Sequence, residues 1–332
     1  MAIEKKRLVV WGIGKHATKN IIPAIKSQEN IELYGIFTRN KKSSKKLSKE
    51  FDCKFWIDEK DCLSDKDIDI VYLSTPPALH YPQGLKVLES NKHLWCEKPL
   101  TTNFKHAKHL VDISIEKDLS ICEGYMYQYH PHFNALKRII SDKILGDIKT
   151  IHSTFNLPEL DDPGFRFNPK LGGSCLLDVG TYPISLIMKL FEGEEIELID
   201  TNLILDQDNG VDISGSAELS ITSRRDISCN LVWGYNRSYV NVIELSGTLG
   251  KLRTEKIFSK SEDYNPTFEI ENLYGEKEIK IVDSSNHFEI MFRSFYETIY
   301  NEKKLNLQRN NILTLHNFLN IIQNNREGKN NV

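Results

Sequence analysis

Two short stretches of this sequence carry side chains that could act on a small molecule. The first is Trp95-Cys96-Glu97-Lys98-Pro99-Leu100, where a carboxylate and an ammonium follow an apolar run. That run reads as a buried strand, and the C-terminal ends of such strands open onto the ligand crevice of an open α/β sheet. The second is Gly172-Gly173-Ser174-Cys175-Leu176-Leu177-Asp178-Val179-Gly180-Thr181-Tyr182. Its glycines introduce a helix, and the spacing of Asp178 and Tyr182 at i and i+4 places a carboxylate and a phenol on one helical face. Each stretch also has a plain structural reading. Glu97 and Lys98 read equally as solvated charges where Pro99 stops a strand, Tyr182 as a ring packed in a core, and Asp178 as a helix cap.

The elements around these stretches form an alternating pattern. Leu8 to Trp11 is a short apolar run ending in Gly12-Ile13-Gly14-Lys15-His16-Ala17, after which Ile21, Ile22 and Ile25 recur at helical spacing. A G-x-G-x-x-A turn between strand and helix lets the backbone approach a pyrophosphate, whose charge the helix start favours. A plain glycine turn has the same letters. Pro23 falls inside the expected helix and should kink or break it.

A second strand, about Ile31 to Phe37, leads into Thr38-Arg39-Asn40-Lys41-Lys42. NAD-binding turns place an acidic residue about 20 residues past the glycines; Phe37 and Thr38 stand there instead. With no carboxylate to repel a 2′-phosphate and the planar fork of Arg39 to pair with it, NADP(H) is the expected cofactor and NAD(H) the second choice. Arg39 as an exposed charge without a ligand is the other reading. The lysine run from Lys41 to Lys49 reads as the exposed face of a short helix.

Asp69 to Ser74 is a further buried strand, followed by Thr75-Pro76-Pro77-Ala78-Leu79-His80. Consecutive prolines keep Thr75 and Pro76 extended and delay the helix, so that His80 and Tyr81 open it. His80 reads equally as a helix-start residue with no ligand. Lys92 to Cys96, a helix from about Asn103 to Lys117 and a strand from Leu119 to Cys122 complete a doubly wound parallel sheet. Glu123-Gly124-Tyr125-Met126-Tyr127-Gln128-Tyr129-His130-Pro131 then marks the passage into a second domain, its aromatic residues serving packing or binding.

Beyond it, Ile148 to Phe155 alternates as a strand, and a loop from Leu157 to Leu171 contains Arg166, by itself an exposed charge. Strand-like runs follow at Ile196–Leu205, Ile213–Thr222, Ile227–Trp233, Tyr239–Ser246 and Thr267–Ile281, the last with a turn at Tyr274-Gly275-Glu276. Without intervening helices they predict a large, mostly antiparallel open sheet in an α+β domain. Helices at about 288–301 and 310–325 close the chain.

A chain of 332 residues exceeds the usual single core, and two domains, 1–124 and 125–332, are expected. A net charge of −3 argues against a nucleic-acid surface. No apolar run approaches the roughly 20 residues of a membrane helix, and Met-Ala-Ile-Glu-Lys-Lys-Arg lacks the apolar core of a signal peptide, so no membrane association and a cytoplasmic location are expected. The cysteines Cys53, Cys62, Cys96, Cys122, Cys175 and Cys229 show no metal-ligand spacing; reduced thiols and no metal site are expected.

In this order, the glycine turn, the Thr75-Pro76 segment, Glu97-Lys98-Pro99 and the Gly172–Tyr182 segment resemble the Gfo/Idh/MocA family of nicotinamide-dependent oxidoreductases, from about residue 7 to about residue 190. The resemblance implies an N-terminal Rossmann domain with Gly12, Ile13, Gly14, Lys15, His16, Thr38, Arg39, Ser74, Thr75, Pro76, His80, Glu97 and Lys98 along the cofactor. It implies Lys98 as active-site lysine, and Lys98, Tyr125, Arg166, Asp178 and Tyr182 about the substrate. A cis Lys98–Pro99 bond, a state of roughly 5–6% of such bonds, is expected from the sequence. Many members carry arginine where Gln128 stands, and most carry histidine where Tyr182 stands. Tyrosine is similar to the branch with dihydrodiol dehydrogenases, glucose–fructose oxidoreductase and nucleotide-sugar ketoreductases.

That branch implies hydride transfer between the nicotinamide and a sugar carbon bearing a hydroxyl or carbonyl, with a nucleotide-linked keto-sugar as the expected substrate. Tyr182 would exchange the proton, Lys98 would stabilise the oxyanion and Asp178 would orient the substrate. Dehydrogenation of free aldoses or dihydrodiols, and a non-catalytic cofactor-sensing protein, are the alternatives. A homodimer or homotetramer through the C-terminal sheet is also implied.

Overall fold

The computed structural model describes residues 5–222 and 226–329. The chain divides into two compact units, Met1–Tyr125 with Phe288–His316, and Met126–His287 with Asn317–Val332.

The first unit is built on six strands, β1 (Lys6–Trp11), β2 (Ile31–Phe37), β3 (Lys54–Trp56), β4 (Ile70–Leu73), β5 (His93–Glu97) and β6 (Ile121–Gly124). They lie in the order β3-β2-β1-β4-β5-β6, every neighbouring pair parallel. Leu8, Val9, Val10 and all of Ile70–Leu73 are buried, as strands covered on both faces require. The helices are α1 (Ile22–Lys26), α2 (Lys41–Phe51), α3 (Glu59–Ser64), α4 (Pro77–Glu89) and α5 (Phe104–Glu116). Strand order reverses between β1 and β4, and a ligand crevice belongs at the C-terminal ends of these two strands.

Local chemistry sets the helix starts. A π-helical turn, Ala17–Ile21, precedes α1, and Pro23 sits in the first turn of α1, where a missing N–H costs least. The same logic corrects the expectation of a delayed helix after the paired prolines. Pro77 itself begins α4, with Pro76 extended before it at ψ 145°, so the helix starts ahead of His80 rather than at it. Asn103 caps α5 by accepting from the His106 amide. The segment Phe288–His316 returns to this unit through aromatic packing, Phe292 near Tyr72 and Phe295 edge-on to Trp95. Buried Arg309 donates to the carbonyls of Ser114 and Leu119.

The second unit carries eight strands: β7 (Ile148–Asn156), β8 (Ile196–Leu205), β9 (Asp212–Ile221), β10 (Ile227–Gly234), β11 (Val240–Gly247), β12 (Gly250–Glu255), β13 (Thr267–Asn272) and β14 (Lys277–Ile281). Their order is β14-β13-β12-β11-β7-β10-β9-β8; only β7 and β10 pair in parallel. Sequence periodicity misses β12, whose inward positions are only Leu252 and Thr254. The helices α6 (Pro131–Ser141) and α7 (Thr181–Leu190) belong to this unit, and α8 (His287–Thr298) and α9 (Glu302–Lys329) complete the chain. One stretch among the described residues, Pro169–Leu190, is long and apolar enough to cross a membrane; it is mostly buried inside the protein, as a core helix is.

His130 and His132, either side of Pro131, are fully buried. His132 Nε2 lies 2.8 Å from Thr254 Oγ1, and that hydroxyl donates to the Thr267 carbonyl, so the ring nitrogen is the donor. Burial, with Lys260 and His130 nearby, pulls the His132 pKa down to about 2, and burial pulls His130 down to about 4. The unfolded ring accepts a proton below about pH 6.5 while the folded one refuses it, so stability falls as pH drops below that value, by about 1.4 kcal/mol per pH unit for each such ring. Urea unfolding is expected to show this loss between about pH 6.5 and pH 4.5, and His132→Gln should make the acid limb shallower. An unchanged limb would mean His132 titrates normally in the folded chain.

Candidate functional site

In the first unit the candidate residues gather at the C-terminal ends of β1, β2, β4 and β5. Gly12 has a φ of 97°, and a Cβ there would lie 2.6 Å from the Ser74 carbonyl oxygen, so only glycine fits. Its amide donates to the Phe37 carbonyl at 3.0 Å, and the Ser74 amide donates to the Trp11 carbonyl at 2.8 Å, which ties the Gly12-Ile13-Gly14 turn to the ends of β2 and β4. Gly14 is different: a Cβ there would meet nothing within 4 Å. Open space over main-chain amides at a helix start, with Lys15 and His16 following, is a cradle that fits a pyrophosphate. Arg39 is exposed just past β2, and Asn40 beside it accepts from the amides of Lys42 and Ser43 to start α2. Residues 37–40 include no carboxylate, which suits a phosphate on the adenosine ribose.

Thr75 donates through Oγ1 to Gln83 at 2.6 Å. His80 is buried behind this loop, its Nε2 2.7 Å from the Thr75 carbonyl oxygen and its Nδ1 2.7 Å from that of Pro99. Both oxygens only accept, so the ring serves both only when doubly protonated. Burial holds its pKa below the ordinary imidazole value, outweighing the two carbonyls with Glu97 and Glu123, so the neutral ring donates to one of the two oxygens at a time.

Glu97 ends β5 and accepts from the Tyr72 hydroxyl at 2.6 Å, with His16 Nε2 at 2.9 Å on the same oxygen. Burial alone would raise its pKa, but His16, Tyr72 and the Lys98 ammonium outweigh it, and the carboxyl is held below its usual range. Burial likewise opposes the charged form of His16, yet Glu97 wins and the imidazole pKa is raised; Asn20 lies 3.0 Å from its other nitrogen. Lys98 follows, partly buried, and the Lys98–Pro99 bond is cis, as the sequence suggested. Tyr125 is buried at the end of this unit.

In the second unit the segment from Ser174 is not a uniform α-helix. Leu176–Gly180 forms a π-helical turn before α7, closed by the Thr181 amide on the Leu176 carbonyl. A Cβ on Gly180 would lie 2.7 Å from the Trp233 ring, so the turn packs on β10 only with glycine there. Asp212 accepts the Leu176 amide at 2.6 Å and fixes the turn's start.

Across this turn the side chains of Asp178 and Tyr182 find different partners. Asp178 Oδ2 accepts from Arg166 Nε at 2.7 Å and from the Tyr235 hydroxyl at 3.1 Å. The Arg166 pKa is raised, Asp178 and the nearby phenols outweighing burial. Burial and Asp178 push the Tyr235 phenol up, which leaves it a donor. Tyr182 packs its ring against Tyr127, Phe155 and Phe258, and its hydroxyl lies 3.7 Å from Met126 Sδ. Sequence reasoning gave no role to Tyr72, Asp212 or Tyr235. No local pattern marks Tyr235: it follows β10, and the parallel pairing of β10 with β7 seen in the structure is what ends it beside the Arg166 loop. Among the described residues no group of three or more His, Cys, Asp or Glu is arranged to hold a metal.

Comparison with known proteins matches two family profiles: "Oxidoreductase family, NAD-binding Rossmann fold" over residues 6–125 and "GFO/IDH/MocA C-terminal domain" over residues 133–253. The chain is 27% identical to a dTDP-3,4-didehydro-2,6-dideoxy-alpha-D-glucose 3-reductase of Actinomadura kijaniata, over 88% of this chain and 87% of that one. It is 28% identical to the enzyme of the same name from Streptomyces violaceoruber, over 82% and 79%. The solved structure of a 3-ketoreductase from Actinomadura kijaniata in complex with NADP and TDP-benzene superposes with a TM-score of 0.91 at 25% identity, covering 97% of this chain and 98% of that one. With a six-stranded parallel sheet around a glycine turn, an eight-stranded second sheet, and both family profiles matched in order, the chain belongs to the Gfo/Idh/MocA family of oxidoreductases.

Proposed function

We propose that this protein is an NADPH-dependent reductase of a keto group on a nucleotide-linked sugar, with Tyr182 as proton donor and Lys98 stabilising the oxyanion. The observation that carries the reading is that similarity to dTDP-sugar 3-reductases runs through both units, over 88% of the chain, rather than through the nucleotide-binding unit alone. When bound, the nicotinamide supplies the hydride. The chain's own residues bind and aim. The Gly12–Gly14 turn receives the pyrophosphate, Arg39 pairs with the 2′-phosphate, and Thr38, Ser74, Thr75 and Pro76 shape the adjoining wall. Glu97, kept ionised by His16 and Tyr72, holds its end of β5 in one charge state and leaves Lys98 a fixed anionic neighbour. Arg166 and Tyr235 fix the Asp178 carboxylate, which orients substrate hydroxyls, and Tyr182 gives its proton to the oxygen as charge builds there.

The test is NADPH oxidation on adding a dTDP-linked 3-keto-6-deoxysugar, against the free keto-sugar and against a dihydrodiol with NADP. Turnover of the nucleotide sugar alone supports the reading; turnover of the free sugar or dihydrodiol alone replaces it. In the same assay Arg39→Ala should weaken NADPH about 10- to 100-fold, the scale of one or two charge-assisted hydrogen bonds, and leave NADH unchanged. Equal weakening of both cofactors would remove Arg39 from the phosphate site.

A further inference from the structure

The Lys98 loop is gripped from behind at a single peptide group. The carbonyl oxygen of Pro99 lies 2.7 Å from His80 Nδ1, and the amide of Leu100, the other end of the same Pro99–Leu100 peptide, donates to Glu123 Oε1 at 2.6 Å. Pro99 and Leu100 are themselves buried. His80 and Glu123 are 1% and 4% exposed, so neither can touch a bulk ligand. Glu123 is anchored in turn: its Oε1 lies 3.1 Å from Nε2 of buried His316 on α9. His80 Nε2 faces the Thr75 carbonyl oxygen at 2.7 Å, and the tautomer with its proton on Nδ1 is the one that holds Pro99. A peptide group has one acceptor and one donor, and holding both fixes the rotation of its plane. That plane lies one residue beyond Lys98 and is joined to it through Pro99, whose ring fixes φ, so the grip bears on the main chain that carries the lysine.

We propose that Glu123 and His80 are positioning residues for Lys98, acting through the two ends of the Pro99–Leu100 peptide. The idea rests on the role assigned to Lys98 in the proposed function, but the grip itself is measurable without any substrate. A misplacement of about 1 Å made far from the chemistry can cost on the order of 100-fold in rate, and an unpaired buried amide is expensive. Glu123→Gln keeps an acceptor for Leu100, whereas Glu123→Ala removes it.

The experiment compares Glu123→Gln, Glu123→Ala and His80→Leu in the full chain, by hydrogen exchange over residues 97–102, by NADPH binding and by turnover of the keto-sugar. Glu123→Ala should lose exchange protection at Leu100 and drop kcat by about 10- to 100-fold, with NADPH affinity within about threefold of the wild type. Glu123→Gln should restore both protection and kcat, a rescue that a general loss of stability would not give. His80→Leu, which leaves Glu123 in place, should reproduce the kcat loss and carries the test if Glu123→Ala does not fold. Retained protection in a folded Glu123→Ala, or lost protection with kcat unchanged, overturns the proposal. If the wild type turns over no keto-sugar, the functional reading fails, and the exchange data alone decide whether the grip exists.

Discussion

Tyr182→Phe is expected to lower turnover about 100- to 10,000-fold, the range over which a positioned general acid contributes. The substitution isolates the hydroxyl. The ring keeps its packing on Tyr127, Phe155 and Phe258, and the hydroxyl that lies 3.7 Å from Met126 Sδ is lost. Urea unfolding of the variant, run beside the turnover assay, separates a chemical loss from a folding loss: the transition should move by no more than the roughly 0.5–1.5 kcal/mol of one ordinary hydrogen bond. A phenol titrates near 10 in water and protonates nothing readily at neutrality, but an oxygen gaining negative charge is far more basic. The step therefore needs the phenol neutral, and the rate should fall on the alkaline side in the direction of reduction. If Tyr182→Phe keeps turnover within about threefold, another group gives the proton and the assignment fails.

Much of this site is legible in the primary structure because its parts are backbone-defined. A glycine at positive φ is visible as Gly12, a strand end as Trp95-Cys96 before Glu97-Lys98, and a helix opening as Gly172-Gly173-Ser174. The parallel sheet follows from apolar runs spaced by helical ones, and the second sheet from strands with no helices between them. What the letters hide is partnership at long separation. Glu97 is paired with His16 across 81 positions and Asp178 with Tyr235 across 57, and no local pattern marks either. Helical spacing also assumed α geometry at Asp178 and Tyr182, where Leu176–Gly180 is a π-helical turn with Gly180 close against Trp233 and the Asp178 carboxylate meets Arg166. The strand β12 escaped because six residues with two inward positions carry too little periodicity.

Lys98→Ala should cost about 100- to 1,000-fold in turnover, the loss seen when one donor to a developing oxyanion is removed. The ammonium serves the state in which negative charge builds on the substrate oxygen, not the bound cofactor at rest. Cofactor affinity is assigned mainly to the glycine turn, the helix start and Arg39, so NADPH binding should change by less than about tenfold, and the loss should fall on kcat rather than on KM for the cofactor. Three replacements separate charge from bulk. Lys98→Met keeps most of the aliphatic stem without the charge and should behave like the alanine variant. Lys98→Arg keeps a cation but spreads it over a planar fork on a different geometry, and should recover only part of the rate. Removing the ammonium also removes one of the influences that hold Glu97 ionised, so the Glu97 pKa should rise in Lys98→Met, though His16 and Tyr72 remain to keep it low. Rapid-mixing measurement of NADPH oxidation, with cofactor affinity from fluorescence titration, reads both effects. Equal losses in binding and turnover would make Lys98 a cofactor anchor, and the oxyanion would then need a different donor.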